Sequence, residues 1–271
     1  MASAATRAKE AWQPRGGYVD PRSMKAVRFE GARPLFPAAS ENVHPSVVET
    51  AVRRLLALTA GDTVEGAFSE CVVSALVVGQ RGDALRLRAD IRGLDDASVA
   101  SACRLSAYEA ALEAGIALHA EDVTRMRPNA ATLANVRTMV ESASGFLKGR
   151  RLVARAPLSP GGFTDLVDSG CCDFMTKRAL WDVRTSDSAP GEEDTLRLAI
   201  CLLLGLRSRC GQLFRRISEL GVVNPRLLVA YAVGVEDIPP AVMREIGRKA
   251  VGVEDVEFPL PQGSAHAKRP R

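Results

Sequence analysis

Residues 193–209 contain the segment that most narrows what this chain can fold into. Leu196, Leu198, Ala199, Ile200, Leu202, Leu203, Leu204 and Leu206 leave a helix drawn through them almost no polar side. Such a helix must be buried on several sides. One charge, Arg197, sits inside it, and with Cys201, Gly205 and Ser208 at intervals of four, four and three it shares one face. A buried guanidinium without a carboxylate is costly, so Arg197 calls for an acidic partner from another element. The segment opens with Glu192, Glu193 and Asp194 and closes with Arg207 and Arg209, the charge order that the helix dipole favours.

The hydrophobic period of the chain changes near residue 150. Before it, apolar residues recur at helical spacing. Pro45, Ser46 and Glu49 open a helix with Val48, Val52, Leu55 and Leu56 that ends at Gly61, with His44 as its entry residue. Asp62 and Glu65 cap a second helix through Val64, Phe68, Val72, Ala75 and Leu76. A third follows Asp95 to Gly115, and a fourth runs from Pro128-Asn129 to about Lys148 along Leu133, Val136, Val140, Ala143 and Leu147. After Arg151 the pattern is that of strands: Leu152 to Ala154, Phe163 to Val167, two further strands around Asp173 and Asp182, and, beyond the apolar helix, Leu227 to Val233. A last helix spans Pro239 to Lys249. Residues 130–234 are therefore expected to give helix, mainly antiparallel strands, helix and strand, with the helices of residues 40–120 packed on them.

Between the turn Ser169-Gly170 and Pro190, two short apolar stretches carry chemistry. Asp173 lies on the first, and the second reads Leu180-Trp181-Asp182-Val183-Arg184. Strand side chains alternate faces, so Asp182 and Arg184 point one way while Trp181 and Val183 point into the opposite layer. Two carboxylates and a cation that meet in one place could hold a divalent ion and orient an attacking water for phosphodiester hydrolysis. They could equally form a neutral ion-pair lattice with Arg197.

This stretch resembles the PD-(D/E)XK nuclease superfamily. In its RecB-like branch Gly-x-x-Asp precedes a loop and Asp-x-Lys, as Gly170-Cys171-Cys172-Asp173 and Asp182-Val183-Arg184 do here with arginine for lysine. It is also similar to a group of uncharacterised bacterial proteins, a likeness that extends to Phe36-Pro37-Ala38-Ala39-Ser40-Glu41-Asn42 and Asn224-Pro225-Arg226-Leu227. The resemblance implies an α/β (α+β) fold with a restriction-endonuclease-like αβββαβ core at 129–256. A helical region at 31–128 would pack on that core, with disordered basic tails at 1–30 and 257–271. It implies a catalytic set of Asp173, Asp182, Arg184 and Arg197, and Mg²⁺ or Mn²⁺ held by Asp173, Asp182 and Glu141. The substrate would be DNA. Arg197 and Cys201 stand where the branch often has Gln and Tyr, and arginine cannot shed its proton as lysine can. Two further readings therefore stay open: a catalytically silent relative that binds nucleic acid or a protein, and a structural or assembly protein of a mobile element. Glu141 lies off the apolar stripe of its helix and reads more simply as a solvated side chain than as a ligand; Asp165 and Asp168 are alternative acids, and Asp168 suits a turn.

Composition is that of an ordinary globular chain: 271 residues, 46% hydrophobic, 25% charged and a net charge of +4. Residues 1–30 carry six Lys or Arg against three acids, and the last four residues include Lys268, Arg269 and Arg271. No apolar run approaches a membrane span and the N-terminus lacks a signal core, so the cytoplasm is expected. The six cysteines form no C-x₂-C pair; with three scattered histidines they predict neither zinc nor an iron–sulfur cluster, but buried thiols. His119 reads as a surface or structural residue rather than a catalytic one. Oligomeric state is not encoded in any pattern found.

Overall fold

The computed structural model of the protein describes residues 2–116, 120–150, 152–154, 159–170 and 172–254. The expectations for His119, Cys171 and the 257–271 tail fall outside them. In chain order, a short strand β1 (Ala2–Ser3), helix α1 (Ala4–Glu10) and strand β2 (Lys25–Arg28) come first. Helices α2 (Pro45–Thr59), α3 (Val64–Ala67), α4 (Ser69–Val77), α5 (Arg81–Ala89), α6 (Asp96–Glu113), α7 (Ala120–Arg125) and α8 (Ala130–Lys148) follow. Strands β3 (Leu152–Ala154), β4 (Val167–Ser169), β5 (Phe174–Thr176) and β6 (Ala179–Val183) lead to α9 (Glu192–Arg207) and α10 (Gly211–Phe214). Then come β7 (Glu219–Asn224), β8 (Val229–Gly234) and α11 (Pro240–Ile246).

Six strands form one open mixed sheet in the order β2-β8-β7-β6-β5-β3. β3, β5 and β6 are antiparallel neighbours, β6 and β7 run parallel, and β7, β8 and β2 are again antiparallel. A parallel pair needs a crossover, and α9 lies in it. The protein is an α+β fold with helices on both faces of the sheet. Phe174, Trp181, Val183, Val223 and Ala230 join the cluster built by α2, α4, α6 and α8, whereas Met175, Leu180, Leu220, Val222 and Val233 join the cluster around α9. All five residues of β6 are buried, as a strand covered on both faces must be.

Several local expectations are corrected. Residues 163–167 do not form a strand of the sheet. Gly161 and Gly162 have φ of +70° and +64°, the chain turns with Thr164 N–H donating to Val167 O at 2.9 Å, and β4 pairs with β1 instead. β7 was not expected, because Gly221 interrupts its alternation. That glycine faces Trp181, and a Cβ there would lie 2.2 Å from the indole Cζ3. The second helix is capped by Thr63, whose side chain accepts from Gly66 N–H, and breaks at Phe68 (φ −108°) into α3 and α4. α5 escapes the periodicity because only Ala84 and Leu87 of its nine residues are buried. His44 is the N-cap of α2, its ring accepting from Ser46 N–H at 3.3 Å.

The N-terminal segment is not a disordered arm. Ala4, Ala8 and Val19 are buried against the α9 cluster, Thr195 Oγ1 donates to Val19 O at 2.8 Å, and Arg7 Nε donates to Ala250 O at 3.0 Å. This layer supplies the outer wall that the all-round apolar α9 requires.

Gly205 is where α9 meets α10: a Cβ there would lie 2.1 Å from Cδ1 of the buried Phe214 ring. Gly205→Ala gains about 1 kcal/mol of helix propensity but overpacks this contact by about 1–3 kcal/mol. We expect a net loss of stability in urea unfolding; a more stable variant would show that the ring yields.

Candidate functional site

β6 delivers Asp182 to the face that carries α9, and Arg197 meets it there, Nε lying 3.3 Å from Asp182 Oδ2. The contact is one of charge rather than an aligned hydrogen bond, since neither Asp182 oxygen has a hydrogen-bond partner among the described residues. Asp182 is 1% exposed. Burial pushes its pKa up, Arg197 pulls it back, and Asp173 adds to the rise. Asp173 lies at the start of β5, where Oδ2 accepts from Val183 N–H at 2.7 Å and Oδ1 lies 3.9 Å from Arg53 Nη1 of α2.

Arg184, one residue beyond β6, is held by both helical layers. Its Nε donates to Asp194 Oδ1 in the first turn of α9 at 2.7 Å, and its Nη1 lies 3.2 Å from Glu49 Oε1 of α2. Asp194 also accepts from Gly191 N–H at 2.9 Å, so one carboxylate caps the helix and holds the arginine. Glu49 Oε2 accepts from Thr185 N–H at 3.0 Å. Burial and Arg197 act against the Arg184 charge, and Glu49 and Asp194 more than restore it.

The charges continue into the helical layer. Arg54 of α2 forms a two-pronged pair with Glu109 of α6, Nε to Oε2 at 3.0 Å and Nη2 to Oε1. Arg53 lies 3.8 Å from the same carboxylate and 3.4 Å from Glu113. Burial opposes the charge on Arg53, and Asp173, Glu113, Glu109 and Glu49 hold it protonated. Burial raises Glu109, but Arg54 and Arg53 more than offset this and hold it below the usual carboxylate range. The Cys71 thiol donates to Glu109 at 3.0 Å. On the α9 side, a hydrogen bond with Cys201, then burial, pushes the Cys172 thiol well up. Cys71, Cys103, Cys172 and Cys201 are buried, whereas Cys210 is exposed.

The structure thus brings Asp173, Asp182, Arg184 and Arg197 together; Asp173, Asp182 and Arg197 are buried, so the cluster is largely packed interior, with Arg184 part-exposed at its edge. An open depression nearby reaches Arg184, Glu49 and Asp194, walled by Lys9, Ala11 and Gln13 of the N-terminal layer. Glu141 is not brought to the cluster: it is exposed on α8 and borders a separate groove with Arg28, Glu30 and Arg33. Asp168 is exposed in β4, its Oδ1 2.9 Å from Ser169 Oγ. Among the described residues no three His, Cys, Asp or Glu side chains gather as ligands. The arrangement does not fit a divalent ion. Asp182 Oδ2 lies beside a guanidinium, and Asp173 already serves Val183 and Arg53.

The polar residues that composition and spacing missed are Arg53, Arg54 and Glu109, and the pair Glu41 and Arg226. Arg53 and Arg54 carried the same signal as Arg197, charges inside an apolar helical stripe. Glu41 and Arg226 lie in the two outlying segments quoted for the resemblance, and the structure joins them by bonds of 2.9 and 3.0 Å. Asn135 donates to Glu41 at 2.6 Å, and Arg226 Nε donates to Thr185 O at 2.7 Å. No family model, curated protein or solved structure matches the chain. No described helix is long and apolar enough to cross a membrane.

Arg197→Met strands a buried carboxylate and should cost about 3–5 kcal/mol, while adding Asp182→Asn should recover much of that loss. Urea unfolding of the wild type, both single variants and the double variant measures the coupling; additive losses would mean that the pair does not interact. The Glu109 pKa is depressed, so its contribution is present above the unfolded carboxylate range near about 4.3 and is lost as pH falls through the folded value. Asp182, raised in the fold, has the opposite sign: its contribution is full below its unfolded pKa and lost as pH rises. Glu109→Gln should therefore cost about 3 kcal/mol or more at pH 7 and much less near pH 3, read from urea midpoints at both pH values. An equal loss at both would remove the electrostatic account.

Proposed function

We propose that this chain is a nuclease-like protein of the PD-(D/E)XK kind in which arginine stands in for the metal, so that it binds nucleic acid without hydrolysing it. The observation that carries the reading is the Arg197–Asp182 contact. The carboxylate that would anchor Mg²⁺ or Mn²⁺ in an active relative lies 3.3 Å from a guanidinium here. A divalent ion touching that oxygen would sit about 5 Å from the arginine, where repulsion is about 7 kcal/mol at an effective dielectric of 20. Arg184 supports the same reading: it stands where a lysine would assist water, is permanently charged, and has its guanidinium shared between Asp194 and Glu49. The helix, three strands, helix and strand order of α8, β3, β5, β6, α9 and β7 supports kinship with the scaffold. A Mg²⁺-dependent DNA nuclease remains the competing reading, favoured by the convergence of Asp173 and Asp182.

Titration calorimetry with Mn²⁺ and a plasmid-nicking assay separate the two. The wild type should bind Mn²⁺ weakly and leave supercoiled plasmid intact, and Arg197→Gln with Arg184→Lys should bind the ion at least tenfold more tightly. Tight binding by the wild type, with nicking that disappears in Asp182→Ala, would establish the nuclease instead. No metal response in either form would discard the acidic site itself.

A further inference from the structure

The interior of this protein pairs its arginines, but one end of its surface does not. Six cations stand exposed there: Lys177 and Arg178 in the β5–β6 turn, Arg207 and Arg209 at the end of α9, and Arg215 and Arg216 after α10. The backbone makes them one surface. Arg178 O accepts from Ser218 N–H at 2.7 Å and Glu219 N–H at 3.1 Å, Arg178 Nε donates to Ser218 Oγ at 3.1 Å, and the Gly205–Phe214 approach folds residues 205–218 onto themselves. From Gly205 to Ser218 there are four arginines and no acid.

None of the six is in an ion pair among the described residues. Some exposed arginines elsewhere do have a carboxylate partner, Arg22, Arg86 and Arg125 among them, and others such as Arg28 and Arg33 have none among the described residues; what sets these six apart is their grouping on one surface. Arg207 and Arg209 also complement the negative end of the α9 dipole, but Lys177, Arg215 and Arg216 have no such duty. Glu219, Glu236 and Asp237 are exposed where β7 meets the end of β8 and bound the patch on that side. An unpaired cluster of arginine forks matches closely spaced phosphates.

We propose that this end of the molecule, and not the buried aspartate cluster, is where the phosphodiester backbone of a nucleic acid docks. Binding releases condensed counterions from the phosphates and carries no base readout. The inference rests on the nucleic-acid-binding reading above and locates the contact on a face that reading does not use.

Fluorescence anisotropy with a labelled 20-base-pair DNA duplex and with one of its strands, across a salt series, tests it on the full chain. The variant Arg207→Ala/Arg209→Ala/Arg215→Ala/Arg216→Ala changes exposed side chains, so its thermal unfolding midpoint serves as the folding control. We expect it to bind at least tenfold more weakly than wild type, with a slope of log K against log salt shallower by about 3–4, roughly 0.9 per lost phosphate contact. A control with Arg28→Ala/Arg33→Ala, exposed cations at and just beyond the edge strand β2, should bind like the wild type. Unchanged affinity in the quadruple variant, or an equal loss in the control, would overturn the docking surface alone. A wild type that binds neither nucleic acid at low salt would overturn the nucleic-acid-binding reading as well; the closed metal site is judged separately by nicking and Mn²⁺ binding.

Discussion

The Arg197–Asp182 pair is the constraint on which the architecture turns. A helix as apolar as α9 has little in its own sequence to fix its rotation against a sheet, because almost any face would bury well. The single guanidinium removes that freedom. It must meet a carboxylate, and the carboxylate available on the facing side of β6 is Asp182. With that rotation set, Gly205 is turned to α10, Thr195 to Val19 in the N-terminal layer, and Asp194 to Arg184 at the end of β6.

Charge also joins the sheet to the helical layer on its other face. Asp173 belongs to the sheet yet sees Arg53 of α2, and Arg184 reaches Glu49 of the same helix. The Arg54–Glu109 pair then ties α2 to α6. Buried pairs of this kind add little net stability compared with apolar packing, but breaking one is expensive. Their effect here is to choose among packings. Glu41 and Arg226 act likewise, fixing the loop before α2 against the turn between β7 and β8 through a two-pronged contact.

Arg184 and Arg197 are taken into this lattice, and that is how the carboxylates of Asp173 and Asp182 come to be buried with cations beside them. Asp182 pays for that position with an elevated pKa. The buried arginines Arg53, Arg54, Arg197 and Arg226 hold carboxylates within the fold, whereas the cations grouped at the end of α9 are exposed and in no ion pair among the described residues.

The sequence by itself determined the layering. The stripes of Val48, Val52, Leu55 and Leu56 and of Val136, Val140, Ala143 and Leu147 fixed two long helices, the all-round apolar segment fixed a buried one, and Arg197 announced that an acid would meet it. Such periodic signals are local and are read directly. The element types of β7 and α5 were hidden: Gly221 breaks an alternation for the sake of Trp181, and α5 buries too little to show a face. The tertiary structure alone decided the partners. Whether Arg184 would face a metal or Glu49 depends on where α2, nearly the whole core away in sequence, comes to rest. Arg53 and Glu109 are brought together by helix packing that no spacing encodes. The N-terminal layer was illegible for the same reason: its alanines are too weakly apolar to form a stripe, and only the exposed wall of α9 makes them core.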